Sequence, residues 1–375
     1  MGNMIPVFKP SLDSKEINAV SQVLKSGWIG NGPKTKEFER NFLSFIDSKY
    51  GVAVNSATAA IHLAVLSSRI KEGDEVITPS LTFVATNHPI LMQKAVPVFC
   101  DIDYDTLCSD PKDIEKKITP KTKAIIVVHY GGHPVDLDPI VRLCKDRKLI
   151  LIEDCAHATG SYYKNRHVGT FGDFSCFSFA AIKNLTTGDG GMLVGSSKKT
   201  IEHARTLAWS GISESTWERA KGKKLKWQYN VVSIGWKYQM NDIAAAIGLV
   251  QLKKLKANNL KREKITEIYN RELENISWIE TPVVKDYAKS SYHNYVIKVP
   301  QNLRDKLSNY LSDHGIATSV HYVPSHYYSL YRKFKADVPV TDKVWKKILL
   351  LPIFPDLSPK DQDKVIDAIK SFNLR

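Results

Sequence analysis

The sequence predicts an α/β fold, with a mostly parallel central sheet flanked by helices and a smaller α+β domain at the C-terminal end. Short apolar runs alternate with helical stretches through the first half of the chain. This alternation is typical of a parallel sheet that is covered on both faces. A chain of 375 residues is longer than one hydrophobic core usually accommodates. We therefore expect a large domain at residues 1–250 and a small domain at residues 251–375.

Two helices open the chain. Residues 12–25 have the apolar spacing of an amphipathic helix. The residues expected on its apolar face are Ile17, Val20, Val23 and Leu24. The glycine-rich segment 27–33 separates this helix from the next one. The apolar face of the second helix is marked by Phe38, Phe42 and Phe45.

The central sheet is predicted from short apolar runs of the kind found in buried strands. Its strands are expected at Tyr50–Val54, Glu75–Thr78, Val96–Phe99, Ala124–Val128, Leu149–Ile152, Cys176–Phe179 and Gly191–Gly195. Helices are expected between them at residues 57–69, 84–93, 111–117 and 137–147. A long helical pattern from Ile243 to Asn275 leads into the second domain. There we expect strands at Tyr292–Val299 and Ala317–Tyr322 and helices at residues 303–314 and 359–372.

The composition limits the partners that this chain can have. Lysine and arginine number 53 and aspartate and glutamate number 39, which gives a formal net charge of +14. The lysines are scattered apart from the run at 221–226, and aromatic residues do not interleave with them as on a nucleic-acid stacking platform. We expect no nucleic-acid partner. The charge is interpreted as a solvated basic surface or as a field that attracts an anionic small substrate.

Neither a membrane nor a metal partner is expected. No apolar run reaches 18 residues, and the first residues lack the apolar core of a signal peptide, so a cytoplasmic location follows by default. The five cysteines are odd in number and include no Cys-x-x-Cys pair, which favours reduced thiols. Two glycines separate His129 from His133, and the chain has no His-Glu-x-x-His motif, so no metal site is predicted.

Polar or aromatic clusters follow several predicted strands, at the edge where α/β sheets bind ligands. Asn55–Ala60 opens a helix, so its small residues and free N–H groups favour a phosphate, although an ordinary strand-to-helix turn has the same pattern. Asp154 ends another strand, where its carboxylate could pair with a protonated pyridine nitrogen or cap a helix. Phe83 follows a third strand, where it could stack on a planar cofactor or pack in the core.

Lys183 lies in a further cluster, the run Phe177–Gly191. Its neighbours are largely apolar, and they are Phe179, Ala180, Ala181, Ile182 and Leu185. Because burial disfavours the charged form of a lysine, this environment favours the neutral amine that Schiff-base chemistry requires. The alternative is that Lys183 extends along the surface to solvent, as most lysines do. The glycines of this run permit a tight turn and do not match a nucleotide-binding loop.

The order and spacing of these clusters resemble the DegT/StrS family of pyridoxal 5'-phosphate (PLP)-dependent sugar aminotransferases, which have PLP fold type I. The resemblance extends over nearly the whole chain. Its most specific element is Ser-Phe-x-x-x-Lys-Asn-Leu-Thr-Thr-Gly-Asp-Gly-Gly, at residues 178–191. The other stretches that carry it are Gly30–Pro33, Phe38-Glu39, Asn55–Ala60, Gly73–Val76, Pro79–Thr86, Val98–Asp103, His129–Asp138, Glu153–Gly160, Gly235–Gln251 and Val320–His326.

The resemblance implies roles around the cofactor ring and the substrate. Lys183 would be the catalytic residue and would bind PLP covalently. Asp154 would pair with the pyridine nitrogen, and Phe83 would stack on the ring. His157 stands where many members have glutamine and would lie near the ring hydroxyl. His326 would lie near the substrate.

The resemblance also implies a phosphate site that two subunits share. Backbone groups of Ala57 and Thr58, together with the Ser178 hydroxyl, would hold the cofactor phosphate. Lys237 stands where many members have asparagine, and it would reach the phosphate from the neighbouring subunit as a point charge. The active protein would therefore be a homodimer.

The function implied is transfer of an amino group from an amino acid, expected to be L-glutamate, to a keto-sugar. The tail Thr186–Gly191 is similar to that of members acting on 4-keto nucleotide sugars. The expected substrate is therefore a nucleotide-linked 4-keto-6-deoxyhexose, used in the biosynthesis of a surface polysaccharide such as lipopolysaccharide.

Several alternatives remain open. Within the family, the substrate could be a keto 3-deoxy-octulosonic acid aminated at C8, or a 3-keto nucleotide sugar. A PLP sugar dehydratase is disfavoured, because those members carry histidine in place of Lys183. A nicotinamide-dependent dehydrogenase would fit the α/β pattern, but Gly-x-Gly-x-x-Gly is missing after the first strand. A non-catalytic basic binding protein would leave Asp154 and Lys183 unexplained.

Overall fold

A seven-stranded sheet forms the centre of the computed structural model, which describes residues 4–213 and 227–373. In spatial order its strands are β1 (Tyr50–Val54), β9 (Gly191–Gly195), β8 (Phe174–Ser178), β5 (Ile150–Asp154), β4 (Thr122–Val128), β2 (Glu75–Pro79) and β3 (Val96–Cys100). The pairs β8–β5, β5–β4, β4–β2 and β2–β3 are parallel, and β9 is antiparallel to both of its neighbours. The predicted α/β class with a mostly parallel sheet is confirmed. The lysine run at 221–226 lies outside the described residues.

Helices cover both faces of this sheet. Those of the first part are α1 (Ser14–Ser26), α2 (Pro33–Phe45), α3 (Ala57–Ser67), α4 (His88–Met92), α5 (Pro111–Lys116), α6 (Leu137–Arg147) and α7 (Lys198–Ala208). One buried cluster joins α2 and α6 to one face, and a second joins α3 and α7 to the other. The single helix predicted at 84–93 is wrong, because a 3-10 turn at Val84–Thr86 precedes the short α4, whose second residue is Pro89.

The predicted apolar face of α1 is also wrong in part. Ile17 and Leu24 are 70% and 55% exposed, and only Val23 of the predicted set is buried. Glu16 is buried instead, because its carboxylate accepts hydrogen bonds from the side chains of Gln251 and Lys254. The inward face of α1 therefore combines an ion pair with one apolar residue.

The C-terminal part has its own apolar core. Its helices are α8 (Asp242–Leu273), α9 (Gln301–Asp313), α10 (Pro339–Val344) and α11 (Pro359–Lys370), and its sheet pairs β11 (Tyr295–Lys298) with β12 (Ile348–Leu351) in antiparallel fashion. The first half of α8 packs on α1 and α2, and its second half enters the C-terminal core. Because α8 runs across the expected boundary at residue 250, the division into two domains stays a prediction.

The strand predicted at Ala317–Tyr322 is wrong. Only Ser319 makes a bridge there, to Leu350, and the second strand of the small sheet is the fully buried β12. A smaller sheet orders β10 (Ala288–Lys289), β6 (Tyr162–Tyr163) and β7 (Arg166–His167), and it ties the C-terminal part to the loop after β5. None of the helices in the described ranges combines the length and apolar character needed to cross a membrane.

Asp242 joins the first residues of α8 to the start of α2. Its carboxylate accepts hydrogen bonds from the backbone N–H groups of Gly32, Lys34 and Thr35 and from the Thr35 hydroxyl, at 2.7–3.0 Å. Gly32 occupies the N-cap position of α2 and has no side chain to satisfy these groups. A buried carboxylate from another helix therefore acts as the cap.

We expect Asp242→Ala to lower the free energy of unfolding by about 3 kcal/mol, because it leaves several buried N–H groups without an acceptor. Urea denaturation followed by circular dichroism measures this loss. The control is Ser358→Ala, which removes the side-chain cap of α11 and should cost about 1 kcal/mol. Equal losses for the two variants would contradict the cap role of Asp242.

Candidate active site

Lys183 lies in the loop between β8 and β9. Its backbone N–H donates to the carbonyl of Ala180, which forms a tight turn. The residue is partly exposed, yet burial lowers the pKa of its amine to about 8, and the negative charge of Asp154 opposes this shift. Lys183 is thus not an ordinary surface lysine. A substantial fraction of its amine is neutral near pH 8.

Asp154 is the last residue of β5, and it is 4% exposed. Its carboxylate accepts a hydrogen bond of 2.7 Å from the Thr86 hydroxyl and one of 3.0 Å from the backbone N–H of Ala156. Burial raises its pKa, whereas these hydrogen bonds and the charge of Lys183 act against the rise. No helix begins at Asp154, so the capping interpretation fails. A desolvated carboxylate of this kind is stabilised by a cationic partner, which a protonated pyridine nitrogen would supply.

The start of α3 has the properties of a phosphate site. The Ser56 hydroxyl accepts from the N–H of Ala59, and the Ser56 carbonyl accepts from Ala60. The N–H groups of Ala57 and Thr58, in the first turn, therefore have no acceptor within the helix. Such groups and the helix dipole favour an anion.

Ser178 and Gly191 bring the ends of β8 and β9 to this helix start. The two residues are register partners. A Cβ atom on Gly191 would lie 2.5–2.7 Å from backbone atoms of Ser56 and Ala57, so only glycine permits this close approach. The buried Ser178 is thereby placed beside the first turn of α3. The sequence-predicted residues Ala57, Thr58 and Ser178 thus lie at one edge of the sheet.

His157 is held between two hydrogen bonds. Its Nδ1 accepts from the backbone N–H of Gly131, so its Nε2 carries the hydrogen and donates to the Tyr322 hydroxyl at 3.0 Å. Burial and the charge of Lys183 hold the pKa of His157 well below its usual range, so the ring is neutral. The Tyr322 hydroxyl keeps its own hydrogen available to donate elsewhere.

His157 belongs to a closed group of five rings. Neighbouring ring centroids are 4.5–6.1 Å apart, in the order His157, His293, Phe8, His321 and Tyr322, and Tyr322 closes the group by contacting His157 again. Burial depresses the pKa of all three histidines, and the charge of Lys183 adds to this shift. Lys183 is therefore close to these five uncharged rings, called the aromatic wall below.

Phe83 is 56% exposed, and its ring centroid is 5.8 Å from that of Tyr322. The core-packing interpretation of Phe83 is therefore wrong. An exposed aromatic ring at the edge of the sheet is available to a planar ligand.

His326 has both ring nitrogens engaged. Nδ1 lies 2.7 Å from the Ser80 hydroxyl, and Nε2 lies 3.0 Å from a carboxylate oxygen of Asp342. These contacts join the loop after β2 to α10. Its expected position near the substrate stays a prediction.

Lys237 lies beside the start of α3 within its own chain. Its backbone carbonyl accepts from the side chain of Asn55, and its amine is 3.6 Å from the centre of the Trp209 ring and 3.1 Å from Gln239. Burial lowers the pKa of this amine. Whether Lys237 serves the same subunit or a partner stays a prediction.

Some residues of the site could not be predicted locally. Thr86, Tyr322 and His321 fall in stretches that carry the family resemblance, and that resemblance was the one available signal for them. No feature of the sequence indicated that His293 belongs to the site, because a lone histidine in an apolar run usually belongs to a core. It comes to the site only through the fold of the C-terminal part.

Within the described ranges, His129, Glu153 and Cys155 form a group whose ligand atoms lie close enough for a metal ion. Glu153, however, accepts five hydrogen bonds, from His129, from the Ser175 hydroxyl and from three backbone N–H groups of residues 169–172. Although burial opposes ionisation, the contacts with His129 and the backbone hold the pKa of Glu153 below its usual range. The Nδ1 atom of His129 accepts from Val135. The ligand atoms of His129 and Glu153 are already hydrogen-bonded, so the group fits a structural brace better than a metal site.

Comparison with known proteins gives consistent matches along the chain. The model of the DegT/DnrJ/EryC1/StrS aminotransferase family matches residues 10–370. An uncharacterized protein of Methanocaldococcus jannaschii is 41% identical, over 98% of this chain and 97% of that protein. The spore coat polysaccharide biosynthesis protein SpsC of Bacillus subtilis is 40% identical, over the same shares of the two chains.

Several solved structures have the same fold as this chain. The aminotransferase TlmJ from Streptoalloteichus hindustanus superposes with a TM-score of 0.93 at 36% identity, over 98% of each chain. The protein Spr1654 from Streptococcus pneumoniae has been solved in PLP and pyridoxamine phosphate (PMP) forms. Its PLP form superposes with a TM-score of 0.91 at 30% identity, over 99% of this chain and 100% of that chain. Its PMP form has the same TM-score.

The rate at which a small amine-reactive anhydride acylates Lys183 should rise with pH, with a midpoint near pH 8. Ordinary lysines, with a pKa of about 10.4, should still be almost entirely protonated there. Peptide mass spectrometry of cofactor-free protein across pH 6–11 measures both groups. Asp154→Asn should move the midpoint lower, because it removes the negative charge that stabilises the ammonium form. A midpoint of Lys183 that coincides with that of the surface lysines would refute its burial.

Proposed function

This chain belongs to the DegT/DnrJ/EryC1/StrS aminotransferase family and is a PLP-dependent sugar aminotransferase, and we propose that it transfers the amino group of L-glutamate to a nucleotide-linked 4-keto-6-deoxyhexose. The observation that carries the proposed site is the convergence of Lys183, Asp154 and the first turn of α3 at one sheet edge. The support for a 4-keto substrate is the similarity of the tail Thr186–Gly191 to members that act on such sugars.

Lys183 and Asp154 perform the chemistry in this proposal. PLP, when bound, supplies an electron sink for negative charge on the carbon that carries the transferred nitrogen. Asp154 would keep the pyridine nitrogen protonated. The Nζ atom of Lys183 would hold the cofactor between turnovers, and when freed it would remove the proton from the α-carbon of the donor. A pKa of about 8 leaves enough neutral amine to act as this base near neutral pH.

The remaining residues orient the reactants. The N–H groups of Ala57 and Thr58 and the Ser178 hydroxyl would bind the phosphate, and the exposed ring of Phe83 would pack on the cofactor ring. His157, which donates from Nε2 to Tyr322, is proposed to lie near the ring hydroxyl of the cofactor, as the family resemblance implies. His326 is proposed to lie near the sugar, held by its hydrogen bond to Ser80 in the loop after β2.

The product is proposed to enter a surface polysaccharide. The relative SpsC is named for spore coat polysaccharide biosynthesis, which supports this general destination. The narrower assignment to lipopolysaccharide and the cytoplasmic location stay predictions. The net charge of +14 favours a second candidate, a keto 3-deoxy-octulosonic acid aminated at C8, since its carboxylate would be attracted by a basic protein. A 3-keto nucleotide sugar is the third. Family membership removes the dehydrogenase and the non-catalytic alternatives.

Incubation with ¹⁵N-glutamate and a panel of keto-sugars tests the proposed reaction. We expect a mass increase that corresponds to replacement of the keto oxygen by a labelled amino group, and only with the 4-keto nucleotide sugar. Lys183→Ala should abolish both the product and the visible absorbance of the lysine-bound cofactor, while circular dichroism stays unchanged. Product from the octulosonic acid alone would replace the first candidate with the second, and a Lys183→Ala variant of normal rate would refute the site.

Mixed dimers test whether Lys237 acts across a homodimer interface. Each of Lys183→Ala and Lys237→Ala should be poorly active alone. If Lys237 serves the partner's phosphate site, a heterodimer of the two variants has one site with both lysines and one with neither. Co-refolding should then restore up to half of the wild-type activity per dimer. Verified heterodimers without such a gain would mean that Lys237 serves its own subunit, as its contact with Asn55 would allow.

A further inference from the structure

Asn184 follows Lys183 directly and is buried, whereas Lys183 is partly exposed. Asn184 is 6% exposed, whereas Ile182, on the other side of the lysine, is 37% exposed. The amide nitrogen of Asn184 donates to the carbonyl of Ser291 at 2.7 Å and to the side-chain oxygen of Asn259 at 2.9 Å. The Asn184 side chain thus connects the loop between β8 and β9, called the lysine loop below, both to α8 and to the segment before β11.

The orientation of the Asn184 amide is fixed by its partners. Asn259 donates its own amide nitrogen to the carbonyl of Thr159, so its oxygen is free to accept from Asn184. The carbonyl of Ser291 can only accept. The nitrogen of Asn184 must therefore face these two oxygens, and the Asn184 oxygen must face the ring of His293.

This orientation also fixes the hydrogen on His293. Because the Asn184 oxygen can only accept, Nδ1 of His293 is the donor of their 3.0 Å hydrogen bond. Nε2 of His293 is then an unprotonated acceptor, and it is buried without a partner among the described residues. His157, whose ring is tilted against that of His293 with the centroids 4.5 Å apart, has the opposite arrangement, with its hydrogen on Nε2. Asn184 therefore connects the lysine loop to the aromatic wall in a single hydrogen-bonded arrangement.

We propose that Asn184 is the positioning residue for Lys183, fixing the backbone from which the lysine amine reaches the cofactor aldehyde. The Lys183 side chain has four rotatable bonds, so a fixed backbone is needed to limit the positions of Nζ. Small displacements of a reacting atom cost large factors in rate. The tight turn to Ala180 holds one side of the lysine and the three contacts of Asn184 hold the other. This inference rests on the proposed role of Lys183.

Two forms of the cofactor separate positioning from general support of the site. With PLP, Lys183 Nζ bonds to the aldehyde carbon, a carbon–nitrogen double bond replaces the carbon–oxygen bond, and the oxygen leaves as water. PMP has no aldehyde and binds without this bond. In Asn184→Ala we expect the visible band of the lysine-bound cofactor to develop about 10-fold more slowly or worse, while the dissociation constant of PMP stays within about twofold of wild type.

The rate is measured by stopped-flow absorbance at pH 9.5, where a lysine of pKa about 8 is almost fully neutral. If the band still forms more slowly in Asn184→Ala at this pH, the cause is the position of the Lys183 amine and not its protonation. Asn258→Ala, which removes a buried asparagine from the same helix as Asn259, is the matched control and should leave both measurements unchanged. Equal weakening of PLP and PMP, or no change in either, would overturn the inference. If wild-type protein forms no band, the proposed function itself fails.

A pair of variants at Asn259 keeps the inference testable if Asn184→Ala does not fold. Asn259→Asp retains an oxygen that accepts from Asn184, and Asn259→Ala removes it. Both variants lose the amide nitrogen that donates to the Thr159 carbonyl, so this loss does not distinguish them. We expect Asn259→Ala to slow formation of the band about threefold or more with unchanged PMP binding, since one of three anchors is lost. Asn259→Asp should retain a rate closer to wild type. The same rate in both variants would contradict a role for this hydrogen bond.

Discussion

The burial of the Lys183 amine is the constraint on which the arrangement of the site depends. A lysine that acts as a base must lose its charge near neutral pH, and desolvation is the means by which a protein achieves this. Burial alone would also remove the amine from its reactants. The structure resolves this conflict by placing Lys183 at an edge of the sheet, against rings that stay neutral, with the negative charge of Asp154 to stabilise its ammonium form. The lysine pKa therefore falls to about 8 and no further.

Glu153 and Asp154 show how adjacent residues on one strand are assigned to different tasks. Successive side chains of a strand point to opposite faces. Glu153 therefore meets a set of five donors that tie it to residues 169–175 and to His129, whereas Asp154 points toward Thr86 and the lysine loop. The Glu153 carboxylate, with all five hydrogen bonds, ties the segment 169–175 to β5. The Asp154 carboxylate accepts only two hydrogen bonds among the described residues, so it can still pair with a cationic ligand.

Local patterns in the sequence predicted the large sheet well and the small one poorly. β1 and β9 begin and end where the apolar runs do, because both faces of these strands are covered and the runs are uninterrupted. Ala317–Tyr322 has similar β-forming residues, but its neighbour β12 pairs with β11, which leaves Ser319 a single bridge. Pairing partners are decided by tertiary packing, which a local pattern does not contain. The site followed the same rule, since strand-end residues could be found from sequence and His293 could not.

The long helix α8 explains why distant residues are part of the site. It spans 32 residues, or about 48 Å at the usual rise of about 1.5 Å per residue, and it packs on α1 and α2 at its start and on the C-terminal core at its end. Asn259, near its middle, bonds to the residue that follows Lys183. The segment before β11 then brings His293 against His157. The C-terminal part therefore contributes polar and aromatic groups to the centre of the site, and α8 is hydrogen-bonded through Asn259 to the residue that follows Lys183.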